Sequence, residues 1–531
     1  MTSNADFSIE ACQADSFLGL SGHFLDQEYG LCKEVDEKNI VICPSPVYPS
    51  AVITNVETGK EFVEIRYWKF GEWHAILVPK ATLSTASKIV SLSDFGLEVT
   101  SSNAKKLVDS LNEILVSGAL YIPHKFSRSS LGWQGDEFLP YSDKLLCDSA
   151  ERYRQFMNAF TAAGSLEGWT AYFAKLRQSK EFRLMLDASF AAPLVSVVGQ
   201  NSFILHLWGG TGLGKTVALM CALSVWGNPN QGALLQTLNK TQNAMLSTAG
   251  FLCNLPFGAD ELQTIKSRFT DYSGLIMTLC EGIDRARMHY NEMNETCSWQ
   301  TSFLFTGEEP ILKALDSGGA RNRVLEIECR SKLIENGNES ATFARNNYGT
   351  AGRRFIEMLS KDRAREYYRS IFNDIIRAYD VTEKQAATAA LLLTADWLSS
   401  EIFWPDCEVL KIEDVIGYLN DSTQVSTAEN AYSFVKDLIA EHASNFTPAA
   451  FECWGIIEGN KVYFIKKVLN DEFKNAGFDF NSVKSSWIES GYLLNTYNGK
   501  ERHQKKINGI NCGCACIVID DGSSSSTKVA S

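Results

Sequence analysis

The sequence contains no uninterrupted run of 18 apolar residues, and its start, MTSNADFSIEACQADSF, has no basic segment followed by an apolar one. These absences predict that the chain has neither a membrane span nor a signal peptide, which favours a cytoplasmic protein. An excess of basic residues is also missing, because the formal net charge is −13 at pH 7. This acidic balance argues against a protein that coats nucleic acid with its whole surface, but it leaves room for a local basic channel.

Cysteine clusters with zinc-finger spacing are absent as well. The 14 cysteines stand mostly alone within apolar runs, which is typical of reduced core residues. Cys512, Cys514 and Cys516 are the exception, because alternation by two places all three on one face of a strand. Since no second cysteine or histidine cluster accompanies them, packing is favoured over a metal site.

The most informative stretch that is present runs from Ser202 to Ala222, SFILHLWGGTGLGKTVALMCA. An apolar strand leads into a glycine-rich turn and the turn leads into a helix, which is the context that the P-loop pattern G-x-x-x-x-G-K-[ST] requires. Backbone N–H groups of such a loop bind phosphates only where side chains leave the approach open. The predicted nucleotide-binding residues are Gly209, Gly210, Thr211, Gly212, Leu213, Gly214, Lys215 and Thr216.

The last two residues of this motif predict the cofactors. Lys215 supplies a positive charge for the β- and γ-phosphates, and the Thr216 hydroxyl is a ligand for Mg²⁺ beside the helix N-terminus. We therefore expect ATP and Mg²⁺ to bind here.

An acidic pair and a hydroxyl follow at positions where further strands end. Asp260 is predicted to hold Mg²⁺ and Glu261 to take a proton from the attacking water. The alternative is the charged first turn of a helix, and Pro256 and Gly258 are unusual in a buried strand. Thr306 ends the apolar strand QTSFLFT and could contact the γ-phosphate or the lytic water, or else cap the next helix.

Two arginines precede the next predicted strand. We prefer Arg323 to Arg321 as the candidate that stabilises charge on the γ-phosphate of a neighbouring subunit. A surface salt bridge with Glu308 or Glu309 is the alternative.

Two basic segments are candidates for contact with DNA. Arg285, Arg287 and His289 have a spacing of two, so a hairpin strand would direct all three to one side of a pore, whereas a helix would spread them over a solvated face. A second segment near the C-terminus is the most basic run in the chain, and it forms either a wing on duplex DNA or a protein-docking surface. Its basic residues in the prediction are Lys500, Arg502, Lys505 and Lys506.

These features together resemble the AAA+ ATPases. Within roughly residues 20–515, several segments are similar to a family of phage-, plasmid- and cassette-encoded AAA+ ATPases with MCM-like helicase activity. The run 205–229 is the most specific of them. The others are LGWQGDEFLP, LPFGADELQ, FTGEEP, NNYGTAGRRFIEML and AALLLTADWLSSEIF.

The resemblance implies a hexameric, DNA-unwinding ATPase for replication of a mobile element. The family's motor residues would correspond to Lys215, Thr216, Asp260, Glu261, Thr306 and Arg323. In the lid, either Arg353 or Arg354 would face the nucleotide, unless both belong to a solvated helix face.

The expected architecture is an α/β P-loop NTPase core of the AAA+ type with an N-terminal α+β domain, a helical lid and a C-terminal winged helix. A length of 531 residues suggests about three domains. The expected boundaries are a disordered tail at 1–16, the α+β domain at 17–145, a helical connector at 146–198, the ATPase core at 199–345, the lid at 346–424, the winged helix at 425–520 and a disordered tail at 521–531.

Two other functions remain open at this point. A P-loop ATPase could remodel protein complexes without unwinding DNA, or ATP could regulate a DNA-binding replication initiator. An unwinding assay with Lys215→Ala as control discriminates among the three.

Overall fold

The computed structural model describes residues 2–237, 241–260, 272–284, 288–289, 292–293, 297–312, 318–420, 426–448, 450–476, 478–495, 503–507 and 509–519. Its contacts divide the chain into two compact units. The first comprises Met1–Phe160 with Phe251–Cys253, and the second comprises Thr161–Gly250 with Asn254–Ser531.

The first unit is built from two main sheets and several helices. One sheet has three antiparallel strands, in the order β1-β2-β3, and the other has five strands, in the order β10-β7-β4-β5-β6, while β8 and β9 form a separate hairpin. The strands are β1 (His23–Asp26), β2 (Gly30–Val35), β3 (Lys38–Cys43), β4 (Val47–Asn55), β5 (Glu61–Lys69), β6 (Glu72–Pro79), β7 (His124–Arg128), β8 (Gly132–Gln134), β9 (Glu137–Leu139) and β10 (Leu145–Cys147). The helices are α1 (Thr2–Leu18), α2 (Ala86–Ile89), α3 (Ala104–Ser117) and α4 (Arg154–Met157).

Periodicity explains why these segments form a core. In β4, buried and half-buried residues alternate, because successive side chains of a strand point to opposite faces. Helix α3 buries Leu107, Leu111 and Ile114, which recur at the spacing of one helix face, while Leu115 packs against the same core from its edge. The predicted α+β character of this part of the chain therefore follows from two hydrophobic periods.

The first 16 residues are not the disordered tail that we expected. They belong to α1, in which Phe7, Ala11 and Phe17 are buried. Glu10 accepts hydrogen bonds from Tyr48, at 2.7 Å, and from Arg66. The apolar residues recur every three to four positions, and this helical period stabilises α1 against the sheet although most of its other residues are polar.

The expected boundary at residue 145 also needs correction. Strand β10 crosses it and pairs in parallel with β7, through Leu145 with Phe126 and Cys147 with Arg128. The first unit continues to Phe160. A short apolar strand in the middle of a polar stretch is easily missed from periodicity alone.

The second unit contains a five-stranded parallel sheet, in the order β12-β13-β16-β11-β17. Its strands are β11 (Phe203–Trp208), β12 (Leu235–Thr237), β13 (Phe257–Asp260), β16 (Ser302–Gly307) and β17 (Val324–Glu328); β14 (Met288–His289) and β15 (Glu292–Met293) form a separate antiparallel pair. The central strands β11 and β16 are almost wholly buried, as expected for a parallel sheet covered on both faces.

Helices precede, connect and follow these strands. They are α5 (Leu166–Leu176), α6 (Lys180–Val197), α7 (Lys215–Ser224), α8 (Gln242–Leu252), α9 (Tyr272–Glu281), α10 (Gly318–Arg321), α11 (Gly337–Asn346), α12 (Thr350–Met358), α13 (Lys361–Ala378), α14 (Glu383–Phe403) and α15 (Ile412–Ile416). Helix α14 is buried over most of its length and packs against α6 and α13. A helix with apolar residues all round lies inside a core, which explains its run of alanine and leucine.

The C-terminal part combines three helices with a small antiparallel sheet. The helices are α16 (Thr427–Glu441), α17 (Lys466–Asn475) and α18 (Phe480–Glu489), and the strands are β18 (Gly455–Glu458), β19 (Lys461–Ile465), β20 (Leu493–Leu494), β21 (His503–Ile507) and β22 (Ile510–Val518). Trp487 is fully buried in their shared core. In β22, Cys514 and Cys516 are buried and Cys512 is half-buried. None of the helices in the described part of the chain is both long and apolar enough to cross a membrane.

A buried ionic cluster joins α6 to α14. Arg183 donates to both carboxylate oxygens of Asp396, at 2.6 and 2.8 Å, and Arg177 donates to the same carboxylate at 2.8 Å. Asp187 is fully buried beside them, and neither of its oxygens accepts a hydrogen bond from any described donor. Burial, and secondly the charge of Asp396, raises the pKa of Asp187 well above its usual value. Asp187 therefore keeps its proton to a higher pH than an ordinary aspartate does.

This cluster predicts the pH dependence of stability. Because the folded state retains a proton on Asp187 that the unfolded chain releases near pH 4, this contribution to the free energy of unfolding is present at low pH and falls with rising pH, by up to about 1.4 kcal/mol per pH unit. Asp187→Asn keeps a donor in place of the proton and removes this loss. We expect its melting temperature to exceed that of the wild type by more at pH 8 than at pH 5.

Asp396→Asn is the matched control, because it leaves two buried arginines without their carboxylate and should destabilise the fold by about 3–5 kcal/mol. Thermal unfolding followed by circular dichroism measures both variants. An Asp187→Asn variant that is less stable than the wild type at pH 8 would contradict the raised pKa of Asp187.

Candidate nucleotide-binding site

The turn between β11 and α7 is the glycine-rich loop that the sequence predicts. Gly212 and Gly214 have φ angles of +82° and +88°, in the left-handed region that favours glycine. At Gly209 a Cβ atom would lie 2.6 Å from the carbonyl oxygen of Cys329, so a larger residue does not fit there. Glycine is thus required by the loop itself, before any ligand is considered.

Lys215 begins helix α7, and its side chain returns over the loop. Its Nζ atom donates to the carbonyl oxygens of Gly209 and Gly210, at 2.9 and 2.7 Å. The residue is only 8% exposed. The next residue, Thr216, is exposed at the same helix N-terminus. The ammonium group and the helix end therefore direct positive charge toward the same space.

The order of strands in the sheet brings an acid and a hydroxyl to this loop. Strand β16 lies between β11 and β13, so the carboxyl ends of all three are neighbours. Asp260 ends β13 and Thr306 lies at the end of β16, and the Thr306 hydroxyl donates a hydrogen bond to the Asp260 carboxylate. Thr306 is completely buried, which fixes the position of that hydroxyl.

The loop and these strand ends surround one cavity of about 410 Å³. This volume lies within the range of small-molecule sites. The cavity is lined by Thr211, Gly212, Gly214, Lys215, Thr216, Val217, Asp260, Gly307, Glu308, Gly337 and Asn338. The structure thus brings most of the predicted P-loop residues together with Asp260, and Thr306 supports Asp260 from the adjacent strand.

The donor set fits a nucleoside triphosphate with Mg²⁺. Main-chain N–H groups, an ammonium group and a helix N-terminus are the groups that bind phosphates. The Thr216 hydroxyl and the Asp260 carboxylate are hard oxygen ligands of the kind that Mg²⁺ prefers. A Cβ at Gly212 or Gly210 would meet nothing within 4 Å, so the space above the loop is open to a ligand.

Five cavity residues were not among the predicted site residues, namely Val217, Gly307, Glu308, Gly337 and Asn338. Glu308 follows β16 directly and accepts a hydrogen bond from Thr211 at 2.7 Å, whereas the sequence suggested it only as a salt-bridge partner of an arginine. Gly337 and Asn338 begin helix α11. The N-cap Asn336, in the string ENGNES, was a signal for this helix start, but its distance from the P-loop in sequence gave no reason to assign it to the site.

The predicted arginines lie elsewhere. Arg323 precedes β17, at the edge of the sheet opposite the P-loop, since Val324 pairs with Ile204 and Glu328 pairs with Trp208. Its side chain is 11% exposed and donates to Gly319 O at 2.8 Å, and its nearest carboxylate is that of Glu281 at 3.9 Å.

The remaining arginines show no contact with the cavity. Arg353 and Arg354 are exposed on α12 and do not line it, and Arg353 pairs with Glu357 at 3.1 Å. Arg321 ends α10, and its carbonyl oxygen accepts a hydrogen bond from Gln385.

Several predicted residues fall outside the described part of the chain, namely Glu261, Arg285, Arg287, Lys500 and Arg502. For His289 only the backbone is described. It pairs with Glu292 in the antiparallel pair β14–β15, and the predicted role of this segment in DNA contact stays a prediction.

The described part of the basic C-terminal segment is partly neutralised. Lys505 forms an ion pair with Glu458 at 2.6 Å, and its ammonium group lies 3.8 Å from the centre of the Tyr463 ring. Lys506, one position on along β21, is exposed. Of the two, Lys506 has the side chain that is available to a phosphate.

Comparisons with known proteins give a family and a fold. The family described as a domain of unknown function, DUF927, matches residues 27–294, just over half of the chain. The Cch helix turn helix domain matches residues 426–522. No curated protein matches the chain.

Among solved structures, the chain is similar to one described as SCCmec type IV Cch, an active helicase. The identity is 19% and the TM-score is 0.74, over 94% of this chain and 97% of that one. At this identity the likeness shows the fold alone. The A form apo structure of the NrS-1 C-terminal region covers 88% of this chain and 96% of its own at 12% identity, with a TM-score of only 0.30.

The loop geometry predicts which glycines the fold tolerates losing. Gly209→Ala places a methyl group against Cys329 O and should lower the melting temperature by several degrees, the effect of roughly 1–3 kcal/mol of strain. Gly210→Ala is the matched control, because its Cβ meets nothing within 4 Å and its φ is not positive. Differential scanning fluorimetry of both variants checks this. Equal melting temperatures for the two would contradict the loop conformation described here.

Proposed function

The chain belongs to the DUF927 family, and from this premise we propose that it is an ATP-driven, Mg²⁺-dependent DNA helicase of the AAA+ class. It acts in the cytoplasm as a hexameric ring in the replication of a mobile element. One observation carries the proposal: Lys215, Thr216 and Asp260 line one cavity at the carboxyl edge of a parallel sheet. The helix-turn-helix match at residues 426–522 and the helicase description of the Cch structure support the DNA substrate.

In this proposal the P-loop binds the phosphates, and the residues at the strand ends hold the metal and activate the attacking water. Lys215 leaves the carbonyl oxygens of Gly209 and Gly210 and binds the β- and γ-phosphates. Thr216 and Asp260 would hold Mg²⁺, which supplies charge neutralisation at the phosphates when bound. The Thr306 hydroxyl orients the Asp260 carboxylate through the bond between them, and Glu261 takes the proton of the attacking water.

The position of Arg323 supports a proposed site shared between subunits. Five residues of β17 separate it from the P-loop edge, which is about 16 Å of strand. An arginine at that distance cannot reach the nucleotide of its own chain, but it can face the site of a neighbour in a ring. The hydrogen bond from Arg323 to Gly319 O must break before the guanidinium group can contact a neighbouring subunit. This contact therefore requires a local rearrangement of the segment before β17. Monomers are then poor ATPases.

Contact with DNA is assigned to two places. The segment that contains the pair β14–β15 and the residues Arg285, Arg287 and His289 moves one DNA strand through the ring. Lys506, with Lys500, Arg502 and Lys505 on the same segment, rests on the phosphate backbone. Such contacts are independent of sequence and sensitive to salt.

One alternative has an observation in its favour. A replication initiator regulated by ATP would use the helix-turn-helix domain as its main DNA-binding element. Its helix α18 has only Lys484 as a basic residue and also contains Glu489, which makes it a weak reader of bases. We therefore prefer the helicase. Remodelling of protein complexes is the other alternative, and ATP hydrolysis that DNA leaves unchanged would favour it.

Unwinding of a forked duplex tests the proposed function. The wild type should separate the strands with ATP and Mg²⁺, and Lys215→Ala should abolish this because the triphosphate loses its cation. Lys175→Ala, an exposed lysine on α5, is the matched control and should unwind normally. Specific duplex binding that survives in Lys215→Ala, without unwinding by the wild type, would favour the initiator instead.

The two described lysines of β21 should differ in their effect on DNA binding. Lys506→Ala removes about one phosphate contact, so the slope of log K against log salt concentration should decrease by about 1. Lys505→Ala should change the slope less, because Glu458 already neutralises that charge. Fluorescence anisotropy with labelled duplex over a salt series measures both. A larger effect of Lys505→Ala would show that the ion pair does not persist on DNA.

A further inference from the structure

Glu308 is an acidic residue in a cavity that must bind anions. It lies two residues beyond Thr306, where β16 leaves the sheet, and it lines the same cavity as Lys215. Its Oε1 atom accepts a hydrogen bond from the Thr211 hydroxyl at 2.7 Å, so the carboxylate is placed against the P-loop itself. A carboxylate in this place weakens the binding of a nearby phosphate through like-charge repulsion.

Its neighbours identify the end of the cavity on which it acts. Asp260 and Thr306 lie at the carboxyl ends of adjacent strands, next to Thr216, and these groups define the metal end of the proposed site. Thr216 and Asp260 would hold Mg²⁺ there, and the metal would neutralise charge on the outer phosphates of a bound triphosphate. A terminal phosphate bound at this end would lie nearer the Glu308 carboxylate than the first phosphate would.

The segment after Glu308 is tied to the sheet. The backbone N–H groups of Ile311 and Leu312 both donate to the carboxylate of Glu326 on β17. Glu326 also lies 3.3 Å from Nδ1 of His206, which is fully buried on the P-loop strand β11. Residues 307–312 are thus fixed at one end by Thr306 and at the other by Glu326, and Glu308 projects from this bridge onto the loop.

We propose that Glu308 discriminates a nucleoside triphosphate from a diphosphate. A γ-phosphate repels the carboxylate and breaks its bond to Thr211, whereas a diphosphate leaves the bond intact. This inference rests on the proposed nucleotide site and adds a residue that weakens ATP binding selectively. Glu308 does not exchange protons or bonds with the nucleotide; it is a specificity-determining residue that acts through its charge.

Nucleotide binding to the full-length chain tests the proposal. Fluorescent mant-AMPPNP and mant-ADP, each with Mg²⁺, are titrated against wild type, Glu308→Gln and Glu309→Gln. Glu308→Gln keeps an oxygen that accepts from Thr211 but removes the charge, so it should bind the triphosphate analogue roughly tenfold more tightly and mant-ADP within about twofold of wild type. Glu309→Gln is the matched control, since Glu309 does not line the cavity, and both of its affinities should equal those of the wild type.

Other outcomes separate the possible failures. An unchanged ratio of the two affinities in Glu308→Gln overturns the inference while leaving the nucleotide site in place. Thr211→Val tests a merely structural role of the hydrogen bond: if it weakens both analogues equally while Glu308→Gln changes neither, the bond only shapes the loop and the inference is wrong. If the wild type binds neither analogue, or Lys215→Ala binds both as well as the wild type, the proposed function itself fails, and this inference fails with it.

Discussion

The register of a parallel sheet is the constraint on which the rest of the structure depends. Strands β11, β13 and β16 run in the same direction and end at the same edge, so a loop, an acid and a hydroxyl that are far apart in sequence become neighbours. Strand β16 separates the other two, and Thr306 therefore lies where it can donate to Asp260. A shift of one residue in any of these strands would turn its terminal side chain to the other face of the sheet.

The same sheet separates two functions of the proposed motor. Its carboxyl edge contains the cavity, whereas Arg323 precedes β17 at its amino edge. The proposed intersubunit site depends on this division rather than on any property of the arginine alone. The bridge of residues 307–312, anchored by Glu326, connects the cavity with the stretch that leads toward Arg323.

The sequence predicts best where a short pattern has a steric cause. The P-loop was predictable because Gly209 and Gly214 are required by the backbone, and α3 was predictable from its hydrophobic period. Contacts between distant residues were not predictable. Nothing in the sequence indicated that Glu308 would bond to Thr211, or that Asn338 would line the cavity. The helical period of α1 was present in the sequence, but polar residues around Phe7 and Phe17 concealed it.

The most direct test of the central claim is the binding of a metal–nucleotide complex at Thr216 and Asp260. Mn²⁺ replaces Mg²⁺, and electron paramagnetic resonance detects its coupling to the phosphorus nuclei of ATP on the protein. We expect this coupled signal in the wild type, with at least about tenfold weaker Mn²⁺ affinity in Thr216→Val, which loses an oxygen ligand, and in Asp260→Asn, whose ligand loses its negative charge. Equal Mn²⁺ affinity in the wild type and both variants would contradict the account, because the metal would then lie elsewhere.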